Sequence, residues 1–176
     1  MLSHISAFLA FAGMASAAAL APDVNCFEGT SLVCYGVPSG TSQDINVDDL
    51  QFAADTLRYN GQSSDPPGFY TMPANPKLLG CDEWTVLTSG TVLVLAKHTD
   101  NTVNSSVLLE DMATTIDGGP DATDADKQKK IFHCAEHGGQ LVVTANTSNP
   151  AYSSAEYKSS GNQPKEIMIK VVKATS

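Results

Sequence analysis

Residues 83–98 read EWTVLTSGTVLVLAKH, and the fold class turns on them. Two runs rich in β-branched and aromatic residues, Glu83 to Leu87 and Thr91 to His98, flank Ser89-Gly90. A glycine-bearing break between two such runs predicts a hairpin. Val92, Leu93, Val94 and Leu95 are apolar in succession rather than alternating, which predicts a central strand covered on both faces.

Outward from the hairpin the periodicity becomes helical. In NVDDLQFAADTLRY (46–59), Asn46 is a cap, Asp48 and Asp49 sit in the first turn, and Val47, Leu50, Ala54 and Leu57 recur at helical spacing. Asn60-Gly61 is read as its stop, and QSSDPPG (62–68) as turn chemistry. A short strand over Phe69 to Met72 and an irregular stretch, PANPKLLG, lead back to the hairpin.

On the other side, SSVLLEDMATTIDGG (105–119) offers Leu108, Met112 and Ile116 at helical spacing and predicts a helix that Gly118-Gly119 ends. Thr123 with Asp126 forms a capping-box pattern ahead of Ile131, Phe132, Cys134 and Ala135, with Gly138-Gly139 as the stop. Strands follow in QLVVTAN (140–146), over Tyr152 to Tyr157, and in EIMIKVVK (166–173). The order β-α-β-β-β-α-α-β-β-β predicts a disulfide-stabilised α+β domain. Its sheet is antiparallel or mixed, with two to three helices packed on one side.

The chain has 176 residues, 42% hydrophobic and 16% charged, with a net charge of −9. It is too apolar for a disordered protein and too acidic for a nucleic-acid binder. Acidic runs include Asp48-Asp49, Asp82-Glu83, Glu110-Asp111 and Asp121 to Asp126. Residues 1–17, MLSHISAFLAFAGMASA, read as a secretory signal peptide whose apolar run is shorter than the ~20 residues of a membrane span. Residues 18–176 are then a single secreted, extracellular domain with no membrane span.

In an oxidising compartment, Cys26, Cys34, Cys81 and Cys134 predict two disulfides. Of three possible pairings, Cys26 with Cys134 and Cys34 with Cys81 is favoured, because it ties the amino-terminal arm to distant elements and closes long loops. The pairing of Cys26 with Cys34 comes next. No Cys-x-x-Cys spacing supports zinc. Asn104-Ser105-Ser106 and Asn146-Thr147-Ser148 are sequons for N-linked sugar at Asn104 and Asn146.

The succession Asn25-Cys26, Cys34-Tyr35-Gly36, an amphipathic helix, a glycine-led apolar strand, a helix, a Gly-Gly step and the final strand EIMIKVV resembles secreted fungal proteins related to killer toxins and to necrosis-inducing effectors. That resemblance implies a small secreted α+β protein stapled by disulfides, acting as a toxin toward competing fungi or as an effector in a plant host. It carries over no site residue, and this chain departs from the pattern in its four cysteines and longer central region.

Three chemistries compete with a pure binding role. His133 and His137 are four apart, so a helix would set both imidazoles on one face at zinc-sharing distance, with His98 as a third ligand. The simpler reading is two partly solvated histidines in a last helical turn. His98 could also act as a general base beside Asp82 or Glu83. No Gly-x-Ser-x-Gly elbow occurs.

A ribonuclease needs cations to stabilise charge on phosphate. Arg58 is the one arginine, and Lys127, Lys129 and Lys130, the basic cluster, read as a solvated helix face. Trp84, Tyr70 and Phe69 surround the turn-rich middle, where an exposed ring would mark a protein or glycan contact; Trp84 reads more simply as core. The expectation is a monomeric, non-enzymatic secreted effector that needs no cofactor and binds a host protein or cell-surface component. The alternatives are a killer-type toxin and a small secreted hydrolase.

Overall fold

The computed structural model describes residues 28–38, 40–64, 67–76 and 82–175. In chain order its elements are β1 (Val33–Cys34), α1 (Val47–Gln62), β2 (Phe69–Met72), β3 (Glu83–Ser89), β4 (Val92–His98), β5 (Ser105–Leu108), α2 (Leu109–Asp117), α3 (Asp124–Lys127), β6 (Gly139–Val142), α4 (Ala155–Ser159) and β7 (Ile167–Lys173). Ile131–His137 and Pro150–Ser153 are 3-10 segments. Five strands form one sheet in the order β1-β6-β7-β4-β3, and β2 with β5 forms a separate ribbon; every strand pair is antiparallel. The architecture is α+β.

The hairpin is the hub. β4 lies between β3 and β7, and its Val92, Val94 and Ala96 are fully buried together with Ile169 and Val171 of β7. Against them lie Leu50, Ala53, Ala54 and Leu57 of α1 and Met112, Ala113 and Ile116 of α2, in one continuous core. Each large apolar side chain buried there contributes roughly 1.5–3 kcal/mol. On the opposite face Leu93 and Leu95 are only half-buried, so β4 is central but unequally covered, and that open face positions the site described below.

Local chemistry ties helix to hairpin. The Asp49 carboxylate accepts the Thr91 backbone N–H and hydroxyl, both at 2.8 Å, and Thr91 Oγ1 accepts the Asn46 N–H at 2.7 Å. The turn needs Gly90, whose φ is +52° and whose absent Cβ makes room for Asp49. Helix α1 starts at its Asn46 cap as predicted but runs through Asn60-Gly61 to Gln62. The reason is packing: a Cβ on Gly61 would lie 3.2 Å from Leu109 Cβ, so this glycine lets α2 approach rather than ending α1. Arg58 then clasps the pair, with Nε 3.1 Å from Glu110 and Nη2 3.0 Å from Asp117.

Three predicted elements are corrected. Residues 105–108 are a strand rather than part of a helix, because Leu108 pairs with Phe69 and Ser105 with Met72. Tyr152 to Tyr157 is helical rather than extended: Asn149 and Ser154 cap successive turns and Pro150 starts the first. The helix expected after Thr123 is the single turn α3, whose capping box with Asp126 does form, followed by a 3-10 segment that breaks at Ala135 (φ 48°, ψ −130°).

The disulfide pairing is also corrected. Cys34 is bonded to Cys134, with Cα atoms 5.1 Å apart, so neither Cys26–Cys134 with Cys34–Cys81 nor Cys26–Cys34 holds. β1 pairs with β6 in the register Cys34↔Gly139, which sets Cys34 beside the 3-10 segment carrying Cys134. Cys26, Cys81 and the signal-like segment 1–17 lie outside the described residues. Among the described residues no helix is long and apolar enough to cross a membrane.

Candidate functional site

The half-covered face of the sheet opens at its β1 end into a cleft of about 490 Å³. Strand alternation builds its floor. Lys170 on β7 lies opposite Gln140 on β6 and Leu95 on β4, while Glu83 on β3 lies opposite Lys97 on β4. These side chains therefore project to one face. Tyr35 follows β1, and its hydroxyl donates to Gln140 Oε1 at 3.0 Å. Gly36, Pro38 and Gly40 line one side of the cleft, and exposed Val33 and Val37 form its apolar lip.

Glu28 closes the floor. Its carboxylate takes both lysines: Lys97 Nζ donates to it directly, and Lys170 Nζ stands 2.7 Å from its Oε2 and 2.6 Å from Glu83 Oε1. The two lysine side chains are only 6% and 11% exposed, so pairing is what makes their burial tolerable. Burial works against the charge of Lys170, yet the hydrogen bonds and attraction of Glu28 and Glu83 outweigh it and raise its pKa. Burial likewise pushes the Glu28 carboxyl up, but the bonds from Lys170 and Lys97 prevail and hold it below the ordinary value. The Tyr35 phenol is driven well up, first by burial and then by Glu28 and Glu83. Two cations thus meet two carboxylates, and each shifted group is held in its neutral-pH protonation state.

The histidines singled out by the sequence are not brought together. His98 is buried at the end of β4, with its Nε2 3.3 Å from the Pro73 carbonyl oxygen, on the face opposite Lys97 and Glu83. It does not stand over Glu83, whose carboxylate holds Lys170. His133 is exposed, and the shared helical face with His137 does not form, because Ala135 leaves helical geometry and turns His137 onto Ser42. Among the described residues no group of three or more His, Cys, Asp or Glu is placed to hold a metal ion.

Asn104 and Asn146 are both exposed. The side-chain oxygen of Asn104 accepts the Ala74 N–H at 2.8 Å, and that of Asn146 the Ser148 N–H at 3.3 Å. Trp84, expected in the core, is 41% exposed on edge strand β3. Phe69 instead stacks on Tyr157, with centroids 4.9 Å apart, and meets Tyr152 edge-on at 5.5 Å, beside a smaller cavity of about 210 Å³. Arg58 is occupied by Asp55, Glu110 and Asp117, which removes it from any phosphate.

Sequence reasoning missed the cleft, because its floor is assembled from positions 28, 35, 83, 97, 140 and 170, and no motif spans such separations. The one available signal was Lys97 and Lys170 within otherwise apolar strands. Compared with protein-family models, curated proteins and solved structures, the chain matches none.

Proposed function

We propose that this protein is a secreted effector-type protein whose primary action is to bind a target of host origin through the cleft between β1 and the open sheet face. The observation that carries the reading is the state of the floor. A general acid or base near neutrality needs a pKa brought toward the working pH, whereas Glu28 is held low and Lys170 and Tyr35 are held high. A charge-compensated floor under an apolar lip suits recognition rather than proton transfer there. Its volume lies within the roughly 300–1,000 Å³ of ligand clefts.

Secretion belongs to the proposal and draws support from the signal-like residues 1–17 and from the Cys34–Cys134 bridge, since such bridges persist in oxidising compartments. The test compares purified mature protein with a Val33→Arg variant, which fills the lip with a charged chain, in a colonisation or tissue-response assay on plant material. The folded variant is expected to lose the response. Full activity of the variant, or no response to the parent protein, refutes the reading. Growth assays on competitor fungi are the arm that would favour a killer-type toxin instead.

A further inference from the structure

Where Ala135 breaks the 3-10 segment, the chain makes a contact that the cleft does not use. Ser42 sits between Thr41 and Gln43, two residues that line the cleft, and its hydroxyl is turned onto His137. Ser42 Oγ lies 3.0 Å from His137 Nδ1. The Asp44 N–H donates to the same oxygen from 3.4 Å, and in the tautomer with its proton on Nε2 the imidazole accepts the serine proton at Nδ1. The other ring nitrogen, Nε2, is 3.7 Å from Glu136 Oε1. The imidazole is one-third exposed and the serine half-buried, so both can be reached from solvent.

The surroundings hold this contact in place at a conformational cost. The Gln43 N–H donates to the His137 carbonyl at 3.1 Å and the Ile45 N–H to the Glu136 carbonyl at 3.0 Å, locking the two segments side by side. Two non-glycine residues with positive φ, Asp44 (52°) and Ala135 (48°), flank the pair. Such conformations cost on the order of 1–3 kcal/mol each and persist where the surrounding structure over-determines them, which is often at functional sites. Here the Cys34–Cys134 bridge and the β1–β6 pairing anchor both segments.

We propose that Ser42 and His137 form a nucleophilic dyad that takes small activated carboxylic esters, a reactivity beyond the binding role of the cleft. Ser42 Oγ bonds to the ester carbonyl carbon while its proton passes to His137 Nδ1. The ester C–O bond then breaks, and the departing alcohol oxygen takes that proton. Water repeats the sequence on the acyl-serine, releasing the carboxylic acid and restoring Ser42. Glu136 Oε1 stands 3.7 Å from Nε2, the ring nitrogen that takes no part in either proton transfer.

The direct test is a fluorophosphonate probe on the full secreted chain, in which an Oγ–P bond forms, the P–F bond breaks and hydrogen fluoride is released. The adduct is expected on Ser42 by peptide mass spectrometry and absent from Ser42→Ala. His137→Gln keeps an acceptor for the Ser42 hydroxyl but no base, and it should slow labelling by about a hundredfold with an unchanged melting temperature. Labelling reads the dyad and the plant-tissue response reads the cleft, so the binding reading can fail without this one. An unlabelled parent protein, or label that survives Ser42→Ala or His137→Gln undiminished, overturns the dyad.

Discussion

Replacing both bridged cysteines, Cys34→Ala with Cys134→Ala, isolates what the disulfide contributes. The bond closes a sequence separation of 100 residues. Chain-entropy reasoning assigns a loop of that size about 4.7 kcal/mol at 25 °C, gained by restricting the unfolded chain. A second bridge elsewhere would shorten the effective loop, but the dependence is logarithmic, and halving the loop removes only about 0.6 kcal/mol. A loss of about 4–5 kcal/mol is a large part of the roughly 5–15 kcal/mol by which domains are stable. At about 2–4 °C per kcal/mol for a domain of this size, the melting temperature should fall by some ~8–20 °C.

Guanidinium unfolding followed through Trp84, the one tryptophan, measures both midpoint and slope. The midpoint should drop. The slope should rise, because the unlinked chain exposes more surface when it unfolds. Cys134 is 2% exposed, and alanine at that site leaves only a sulfur-sized gap, so packing adds little to the loss. A double variant that loses less than about 1 kcal/mol refutes the loop-entropy account.

Tyr152→Phe removes a hydroxyl that donates to Asp111 and accepts the Leu108 N–H at 2.8 Å; with all three groups buried, about 2–4 kcal/mol should be lost in denaturant titration, and a loss under about 0.5 kcal/mol contradicts it. Glu28 is held below its ordinary value of 4.5 by Lys170 and Lys97 against the effect of burial, so its stabilisation is complete above that value and disappears as pH falls through the lower folded value. Stability curves of the parent and Glu28→Gln should therefore differ at neutral pH and converge in acid; curves that stay parallel rule this out. Non-reducing peptide mapping should recover Cys34–Cys134, and a Cys26–Cys34 or Cys26–Cys134 peptide would contradict this pairing.

Features carried by local chemistry were legible in advance. The hairpin at Ser89-Gly90, the Asn46 cap and the Thr123 capping box each depend on residues within a few positions of one another. What failed was non-local. Residues 105–108 carry no break that separates them from the following helix, and only pairing with β2 makes them a strand. The bridge was misassigned because loop length describes the unfolded chain, whereas the partner of Cys34 is fixed by the native register of β1 on β6. His133 and His137 share a face only if the helix is continuous, and the backbone at Ala135 ends that premise.

The acidity has a structural distribution that composition alone does not reveal. Arg58 takes carboxylates from Asp55, Glu110 and Asp117, while Lys97 and Lys170 take those of Glu28 and Glu83. Three cations are thus spent inside the molecule, at the junction of α1 with α2 and on the sheet face under the cleft. Exposed acids such as Asp121, Asp124 and Glu156 answer to no ion pair among the described residues. The long-range field is therefore negative although the cleft floor is neutral. A cationic partner would be drawn in from a distance and would arrive more slowly at high salt. Once seated, it would be held by the apolar lip of Val33 and Val37 rather than by the compensated charges beneath it.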